Sequence, residues 1–326
     1  MEHKAKHRSG GVAYVAILGS ALAILVIAVE WARRTNPPDT PLPAASPSPG
    51  PFPRKVQDAT GETLEIAARP NRIVSQTLAT DEILLAICPV ERIVALSSLA
   101  EDENYSNVVA EARRVAGRTT EGAEQILRLE PDLIFVASYS RADTVQVLMA
   151  SRAPVFRSAN FNSIADIQAN IRTVGHAIGN DTEADTLVRQ MDQSLTAIRA
   201  RVPPDRPVLR IMSFSRDGYT AGANTTFDDV VRATGAVNLS AANGIDGFAK
   251  ISVEKIAEWQ PDVIVAGANH NEIESVRRKL LTDPVIATSQ VGRTGRVVVI
   301  DNRHFLTVSQ HIVRAVEDLA EGLYGK

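Results

Sequence analysis

The chain has little cysteine and little excess of either charge. Its 326 residues include one cysteine, Cys88, which lies in the apolar run EILLAICPV and is expected to be buried. A single cysteine excludes an internal disulfide. The 35 Lys and Arg residues are slightly outnumbered by 38 Asp and Glu residues. Because the basic residues also form no stripe, no nucleic-acid partner is expected.

Short catalytic motifs are missing as well. The sequence contains no phosphate-binding loop, no G-x-S-x-G turn and no H-E-x-x-H helix. Its Ser, His and Asp residues are scattered without an arrangement that indicates a triad. We therefore expect a binding protein rather than an enzyme.

The N-terminal region departs from an ordinary soluble composition. Val12 to Val29 is an 18-residue run without a charge, preceded by Lys4, Lys6 and Arg8. Its length favours an uncleaved transmembrane anchor over a cleaved signal peptide, and the flanking charges favour export of the rest of the chain. We assign residues 1–34 to this anchor or signal. Residues 35–54, rich in proline, are expected to form an extended linker.

Residues 55–162 and 203–326 both alternate strands with helices, which predicts two α/β lobes with parallel sheets. In the first lobe Thr80 is expected to cap a helix whose first turn carries Asp81 and Glu82, placed to suit the helix dipole. Ligands on such sheets bind beyond the carboxyl ends of the strands. The loops at those ends are therefore the candidate binding loops.

A repeat relates the two lobes. EQILRLEPDLIFVA, from Glu124, resembles EKIAEWQPDVIVAG, from Glu254, at a constant offset of 130. Five of the fourteen positions coincide, which favours a duplicated architecture over the alternative that Pro-Asp merely punctuates the start of a strand.

Residues 163–202 read as helix, with Ser163 as the N-cap and Pro203-Pro204 as the stop. Gly179-Asn180-Asp181 interrupts the apolar stripe, and Asp181 or Thr182 is expected to cap its second part. At 1.5 Å per residue, one continuous helix would be on the order of 50 Å long. We predict that it joins the two lobes. An ordinary crossover helix within one large domain is the alternative.

Together these segments resemble the solute-binding proteins of ABC importers for ferric siderophores and cobalamin, in which a rigid helix connects two lobes. The resemblance covers about Arg72 to the C-terminus and rests on RIVSQTLATDEILLAI, RIVALS, the paired Pro-Asp segments, the central helix and DNRHFLTVSQHIVRAVEDLA. It implies two Rossmann-like lobes with a ligand cleft between them. Two departures are Gln76-Thr77-Leu78, where the family often has Ser-Pro-Ser, and the absence of a cysteine for a lipid anchor.

The predicted cleft is rich in aromatic and basic residues, which suit a large, partly planar, anionic ligand such as a ferric siderophore. The basic residues are Arg118, Arg141, Arg216 and Arg303. The resemblance implies that Arg118 contacts such a ligand. Cobalamin and haem are the alternative ligands, and no cofactor or bound metal is expected. The candidate ligand-binding residues are Gln76, Thr77, Tyr105, Arg118, Tyr139, Arg141, Phe161, Arg216, Tyr219, Phe248, His304 and Phe305.

The resemblance also implies that the permease and ATPase subunits of an ABC importer are partners. Glu124 and Glu254 occupy the places at which this family docks onto the permease. The protein is expected to act as a monomer outside the cytoplasm. A zinc or manganese site at His270 and His304 is a less favoured alternative, because no close ligand spacing supports it. A chelatase-like enzyme and an anchored sensor are the other classes considered, and eleven residues before the apolar run are too few for a sensor's output domain.

Overall fold

The computed structural model describes residues 51–119, 122–137, 140–158 and 160–325. The predicted anchor, including Val12 to Val29, and most of the linker lie outside these ranges. Within them, no helix combines the length and the apolar character needed to cross a membrane.

The first lobe is built on five parallel strands in the order β5-β4-β3-β6-β7. An antiparallel hairpin, β1 (Arg54–Gln57) and β2 (Thr63–Ile66), precedes them. All five residues of LIFVA in β6 are buried, as expected for a strand covered on both faces. The five strands are β3 (Ile73–Ser75), β4 (Ile93–Ser97), β5 (Gly117–Thr119), β6 (Leu133–Ala137) and β7 (Val155–Ser158).

Four helices connect these strands: α1 (Leu78–Ile87), α2 (Val109–Ala112), α3 (Ala123–Leu127) and α4 (Ala142–Met149). The predicted cap of α1 is wrong by three residues. Thr77, not Thr80, is the N-cap, and its Oγ1 accepts a hydrogen bond from the Thr80 amide at 3.2 Å. Thr80 is buried in the first turn instead.

The segment between the lobes is helical but is not one long helix. It forms α5 (Ile164–Ile178) and α6 (Asp181–Ala200), separated by Gly179 at φ 77°. The two helices lie antiparallel, because Gln168 Nε2 donates to Asp192 at 2.7 Å and Arg172 pairs with Asp185 at 3.1 Å. The predicted span on the order of 50 Å is therefore wrong, although Ser163 does cap α5 as predicted, accepting from the Asp166 amide at 3.0 Å.

A buried arginine holds the bend of this hairpin. Arg92 donates to the carbonyl of Ile178 at 2.7 Å and to Asn180 Oδ1 at 2.8 Å, and Asn180 Nδ2 donates to the carbonyl of Ile87 at 2.8 Å. The last carbonyls of α1 and α5 are thus satisfied by side chains, which a buried helix end requires. The bend is fixed against the first lobe.

The second lobe repeats the plan with a smaller parallel sheet in the order β10-β8-β12-β13, flanked by the antiparallel pair β9 and β11. Its strands are β8 (Arg210–Ser213), β9 (Tyr219–Ala221), β10 (Val237–Asn238), β11 (Phe248–Lys250), β12 (Val263–Ala268) and β13 (Val297–Asp301). Its helices are α7 (Thr226–Ala233), α8 (Leu239–Ala242), α9 (Glu254–Trp259), α10 (Ile273–Thr282), α11 (Pro284–Thr288), α12 (Gln290–Thr294), α13 (Asn302–Phe305) and α14 (Ile312–Tyr324).

One hydrophobic core passes from lobe to lobe through the helical hairpin. It includes Ile83 of α1, Ile171 of α5, Val188 of α6 and Val316 of α14, all almost fully buried. The outer face of each sheet has its own smaller core. Cys88 is buried, as the sequence predicts.

The repeated Pro-Asp segments have the same geometry in both lobes. Asp132 accepts a hydrogen bond from the Arg72 amide at 2.9 Å, and Asp262 accepts one from the Arg210 amide at 2.8 Å. The residue before each proline, Glu130 or Gln260, has positive φ. Each aspartate therefore fastens its strand to the first strand of its lobe, which explains why the pattern recurs.

Candidate functional site

Loops at the carboxyl ends of the two sheets contact each other where the lobes meet, which is the place of the predicted cleft. In the first sheet the strand order reverses between β3 and β6, and in the second between β8 and β12, the position at which such sheets bind ligands. The Asn107 side chain reaches across and donates to the carbonyl of Arg303 at 2.7 Å. The Tyr105 hydroxyl also lies close enough to Glu272 of the other lobe for the two groups to interact electrostatically.

The loop after β3 lies at the reversal point of the first lobe. Thr77 is buried and is committed to capping α1. Gln76 donates its backbone amide to the carbonyl of Phe135 at 3.0 Å. Its side-chain Oε1 is buried and has no hydrogen-bond partner among the described residues. An unpaired buried acceptor is costly, so this atom is suited to a donor on a ligand.

Arg118 lies on β5 but turns back into its own lobe. Its guanidinium donates to the carbonyls of Ala112, Val115 and Gly117 at 2.6 to 2.8 Å, and its Nη2 lies 2.5 Å from Glu101 Oε1. The charge that was expected to meet an anionic ligand is therefore neutralised by Glu101.

Two further predicted arginines are also paired with carboxylates. Arg141, the exposed N-cap residue of α4, donates to Asp143 at 2.7 Å. Arg303 donates through Nε and Nη2 to Asp301 at 3.0 and 2.6 Å. Arg216 differs from them, because it is exposed in the turn after β8 and makes no ion pair with any other described residue.

The predicted aromatic residues divide into two groups. Tyr105, Phe161 and Tyr219 are half-buried at the ends of elements that face the cleft. Burial and the nearby Asp102 raise the pKa of Tyr105, so its hydroxyl is neutral at pH 7. Tyr139 lies outside the described residues.

Phe248 and Phe305, in contrast, pack against the main core. The Phe305 ring meets the Phe227 ring edge-on, with centroids 5.9 Å apart. Each can offer a ligand only the part of its ring that the core leaves uncovered.

Asp301, at the carboxyl end of β13, organises the second lobe's side of the cleft. Besides Arg303, it lies 3.2 Å from His270 Nδ1. Burial alone would raise the pKa of Asp301, but the hydrogen bonds from Arg303 hold it below its usual value. This carboxylate therefore stays ionised and fixes the Arg303 guanidinium.

His270 and His304 do not converge on a common site. His270 faces Asp301, whereas His304 Nδ1 lies 2.6 Å from Asp318. Among the residues that the structure describes, no group of three metal-binding side chains comes together.

Glu124 and Glu254 occupy matching exposed positions, each in the first turn of a short helix that precedes the Pro-Asp segment, α3 in one lobe and α9 in the other. A hydrogen bond from Ser252 lowers the pKa of Glu254. Both side chains are available to a partner.

Sequence reasoning missed the polar residues that are buried beside the cleft. Asp81 and Glu82, for which the sequence predicted only a favourable place in the helix dipole, are fully buried. Asp81 accepts from the Ser97 amide at 3.2 Å, and Glu82 accepts from the Asn107 amide at 2.9 Å. The only available signal was two adjacent acids inside an otherwise apolar helix.

The comparisons with known proteins agree with this architecture. The periplasmic binding protein family model matches residues 73–304. The chain is similar to a cobalamin-binding protein of Halobacterium salinarum, with 26% identity over 305 residues that span 92% of this chain and 80% of that protein. It is also similar to the uncharacterised ABC transporter substrate-binding lipoprotein YvrC of Bacillus subtilis, with 25% identity over 320 residues, 93% of this chain and 95% of that one.

A solved structure, the periplasmic haem-binding protein RhuT of Roseiflexus sp. RS-1 in apo form, superposes with a TM-score of 0.66 at 26% identity, covering 78% of this chain and 98% of that one. The chain belongs to the periplasmic binding protein family. It is a solute-binding protein rather than an enzyme, and its family acts outside the cytoplasm.

Proposed function

We propose that this protein is the ligand-capturing subunit of an ABC importer and that its ligand is a corrinoid of the cobalamin class, held between the two lobes. The observation that carries the choice of ligand is the pairing of Arg118, Arg141 and Arg303 with carboxylates of their own lobes. A ferric siderophore with net negative charge, or a haem with ionised propionates, is matched best by free cations. A corrinoid with neutral amide side chains does not require them.

Two further features support a ligand rich in amides. Gln76 offers a buried, unpaired polar atom at the reversal point of the first sheet, and an amide can both donate and accept there. The half-buried rings of Tyr105 and Tyr219 provide flat surfaces for a macrocycle. The similarity to a cobalamin-binding protein over 92% of this chain points in the same direction.

A ferric siderophore is the second candidate, and Arg216 is the observation that favours it. This exposed guanidinium forms no ion pair with the described residues and can meet an anionic oxygen. Of the four arginines expected at the cleft, the other three are paired with carboxylates.

Calorimetry with cyanocobalamin, haem, a ferric hydroxamate and a ferric catecholate tests the assignment. We expect cyanocobalamin to bind and Gln76→Ala to weaken its binding about tenfold, the effect of losing one buried hydrogen bond. Arg216→Ala is the matched control and should leave cobalamin binding unchanged. Tight binding of a ferric chelate that Arg216→Ala abolishes, without cobalamin binding, would select the second candidate.

We also propose that Val12 to Val29 anchors the protein to the membrane, based on the length of this apolar run. The full chain should remain in the membrane fraction after an alkaline wash. A chain with Leu18, Leu22 and Leu25 replaced by Asp should not insert, and release of the unaltered chain by the wash would contradict the anchor.

A further inference from the structure

Glu82 is a buried acidic residue that is not among the proposed ligand contacts. It lies in α1, directly after Asp81, with none of its surface exposed. A buried carboxylate is costly unless hydrogen bonds compensate it. The hydrogen-bond partners of Glu82 therefore indicate its structural role.

The donors to Glu82 come from both lobes. From the first lobe, Asn107 donates its backbone amide and its Nδ2 to Oε1 at 2.9 and 3.0 Å. From the second lobe, Thr307 Oγ1 donates to Oε2 at 2.9 Å, and Ser309 Oγ makes a short hydrogen bond to the same atom. Gln310 Nε2 adds a bond to the Glu82 backbone carbonyl at 2.9 Å.

These partners adjoin the two walls of the cleft. Asn107 is two residues from Tyr105, and its Nδ2 also donates to the carbonyl of Arg303 at 2.7 Å. Thr307 and Ser309 directly follow α13 (Asn302–Phe305), which carries predicted ligand-binding residues. One carboxylate therefore connects the loop that presents Tyr105 to the segment that presents Arg303.

We propose that Glu82 is a positioning residue that fixes the separation of the two cleft walls before the ligand arrives. A carboxylate can only accept, so it accommodates donors from both lobes at once. Hydrogen bonds to a charged group contribute more stability than those between neutral groups. Because the hydrogen bonds to Glu82 already hold the two cleft walls in place, ligand binding has a smaller entropic cost.

The neighbouring acid provides a matched control. Asp81 is also fully buried in the first turn of α1. Its carboxylate is bonded by the amide and the hydroxyl of Ser97, which belong to the first lobe alone. Changes at Asp81 and Glu82 therefore disturb the same helix, but only those at Glu82 release the second lobe.

The test measures the distance between the lobes in the purified full chain without ligand. Spin labels are placed at the exposed positions Arg152→Cys and Arg278→Cys, in a Cys88→Ala background. The protein with Glu82 and Asp81 intact should give a narrow distance distribution, and Asp81→Asn should keep it narrow. Glu82→Gln, and separately Ser309→Ala, should broaden or shift it.

A second measurement follows the binding of cyanocobalamin. Because this part rests on the proposed function, we expect Glu82→Gln to weaken binding about tenfold, mainly through faster dissociation, while Asp81→Asn stays within about twofold. If the unmodified protein does not bind cobalamin, the ligand assignment fails, and the distance measurement still decides the role of Glu82.

The outcome that overturns the proposal is a narrow, unshifted distance distribution in Ser309→Ala and Glu82→Gln, even if both proteins are less stable. Such a result would mean that Glu82 supports only the folded state. Should Glu82→Gln fail to fold, Ser309→Ala, which removes one donor, carries the same test.

Discussion

Asp81 shows how burial alone can alter the chemistry of a residue. Burial raises its pKa to about 7, partly offset by hydrogen bonds from Ser75 and Ser97. A carboxyl group in the unfolded chain releases its proton near pH 4. The folded protein therefore holds a proton on Asp81, between pH 4 and 7, that the unfolded chain does not.

This raised pKa predicts a pH-dependent stability. The contribution of Asp81 to the free energy of unfolding is fully present below about pH 4. It is lost as the pH rises through 7, and the free energy of unfolding falls by up to roughly 1.4 kcal/mol per pH unit. Urea denaturation at several pH values should show the advantage of the wild type over Asp81→Asn shrinking as the pH rises. Parallel stability curves for the two proteins would contradict the raised pKa.

Arg118 illustrates the limit of reasoning from residue type. The sequence placed a cation on the correct strand, because β5 ends at the cleft. It could not show that Glu101 and three carbonyls would bind the guanidinium. Whether Arg118 also contacts a ligand stays a prediction.

At the scale of elements, the hairpin of α5 and α6 replaces the predicted single helix. The two helices approach closely at Gly175, where a Cβ atom would lie 2.4 Å from the Cβ of Ala184. Gly179 ends α5 in the left-handed conformation that glycine adopts without strain. Both glycines are therefore structural requirements of the bend.

Gly175→Ala should destabilise the protein by about 1–3 kcal/mol, since the added methyl group overpacks the helix contact. Urea denaturation measures this change. Gly122→Ala is the control: its Cβ would meet no atom within 4 Å, so the free energy of unfolding should change by less than about 0.5 kcal/mol. Equal effects of the two substitutions would show that the close helix contact does not determine stability.

For the whole molecule, the shared core and the Glu82 contacts join the lobes at the inner end of the cleft, while Glu124 and Glu254 remain exposed on matching helices. This arrangement suits a binding protein that presents one acidic side chain per lobe to a permease. We propose that docking depends on both.

Replacing Glu124 and Glu254 together by Ala should abolish uptake in cells and leave the ligand dissociation constant of the purified protein unchanged. The carboxylates act only in the docked state, so the loss appears in transport rather than in binding. Glu65→Ala with Glu274→Ala, one exposed acid from each lobe, is the control pair and should retain uptake. Normal uptake by the first double variant would refute the docking role.

The elements and their repetition can be read from the amino-acid sequence alone. Buried runs such as LIFVA identified strands, and the Pro-Asp segments at offset 130 identified two equivalent lobes. These signals are local, since apolar periodicity and strand-start chemistry are written within a few neighbouring residues.

The side-chain contacts between distant parts of the chain, in contrast, follow from the packing of the folded protein. Glu82 and Ser309 are separated by 227 positions, and Arg92 and Asn180 by 88. No periodicity connects such pairs, because their contact depends on how the sheets and the helical hairpin pack. The same packing buries Asp81, which raises its pKa, and places Glu82 between donors of the two lobes.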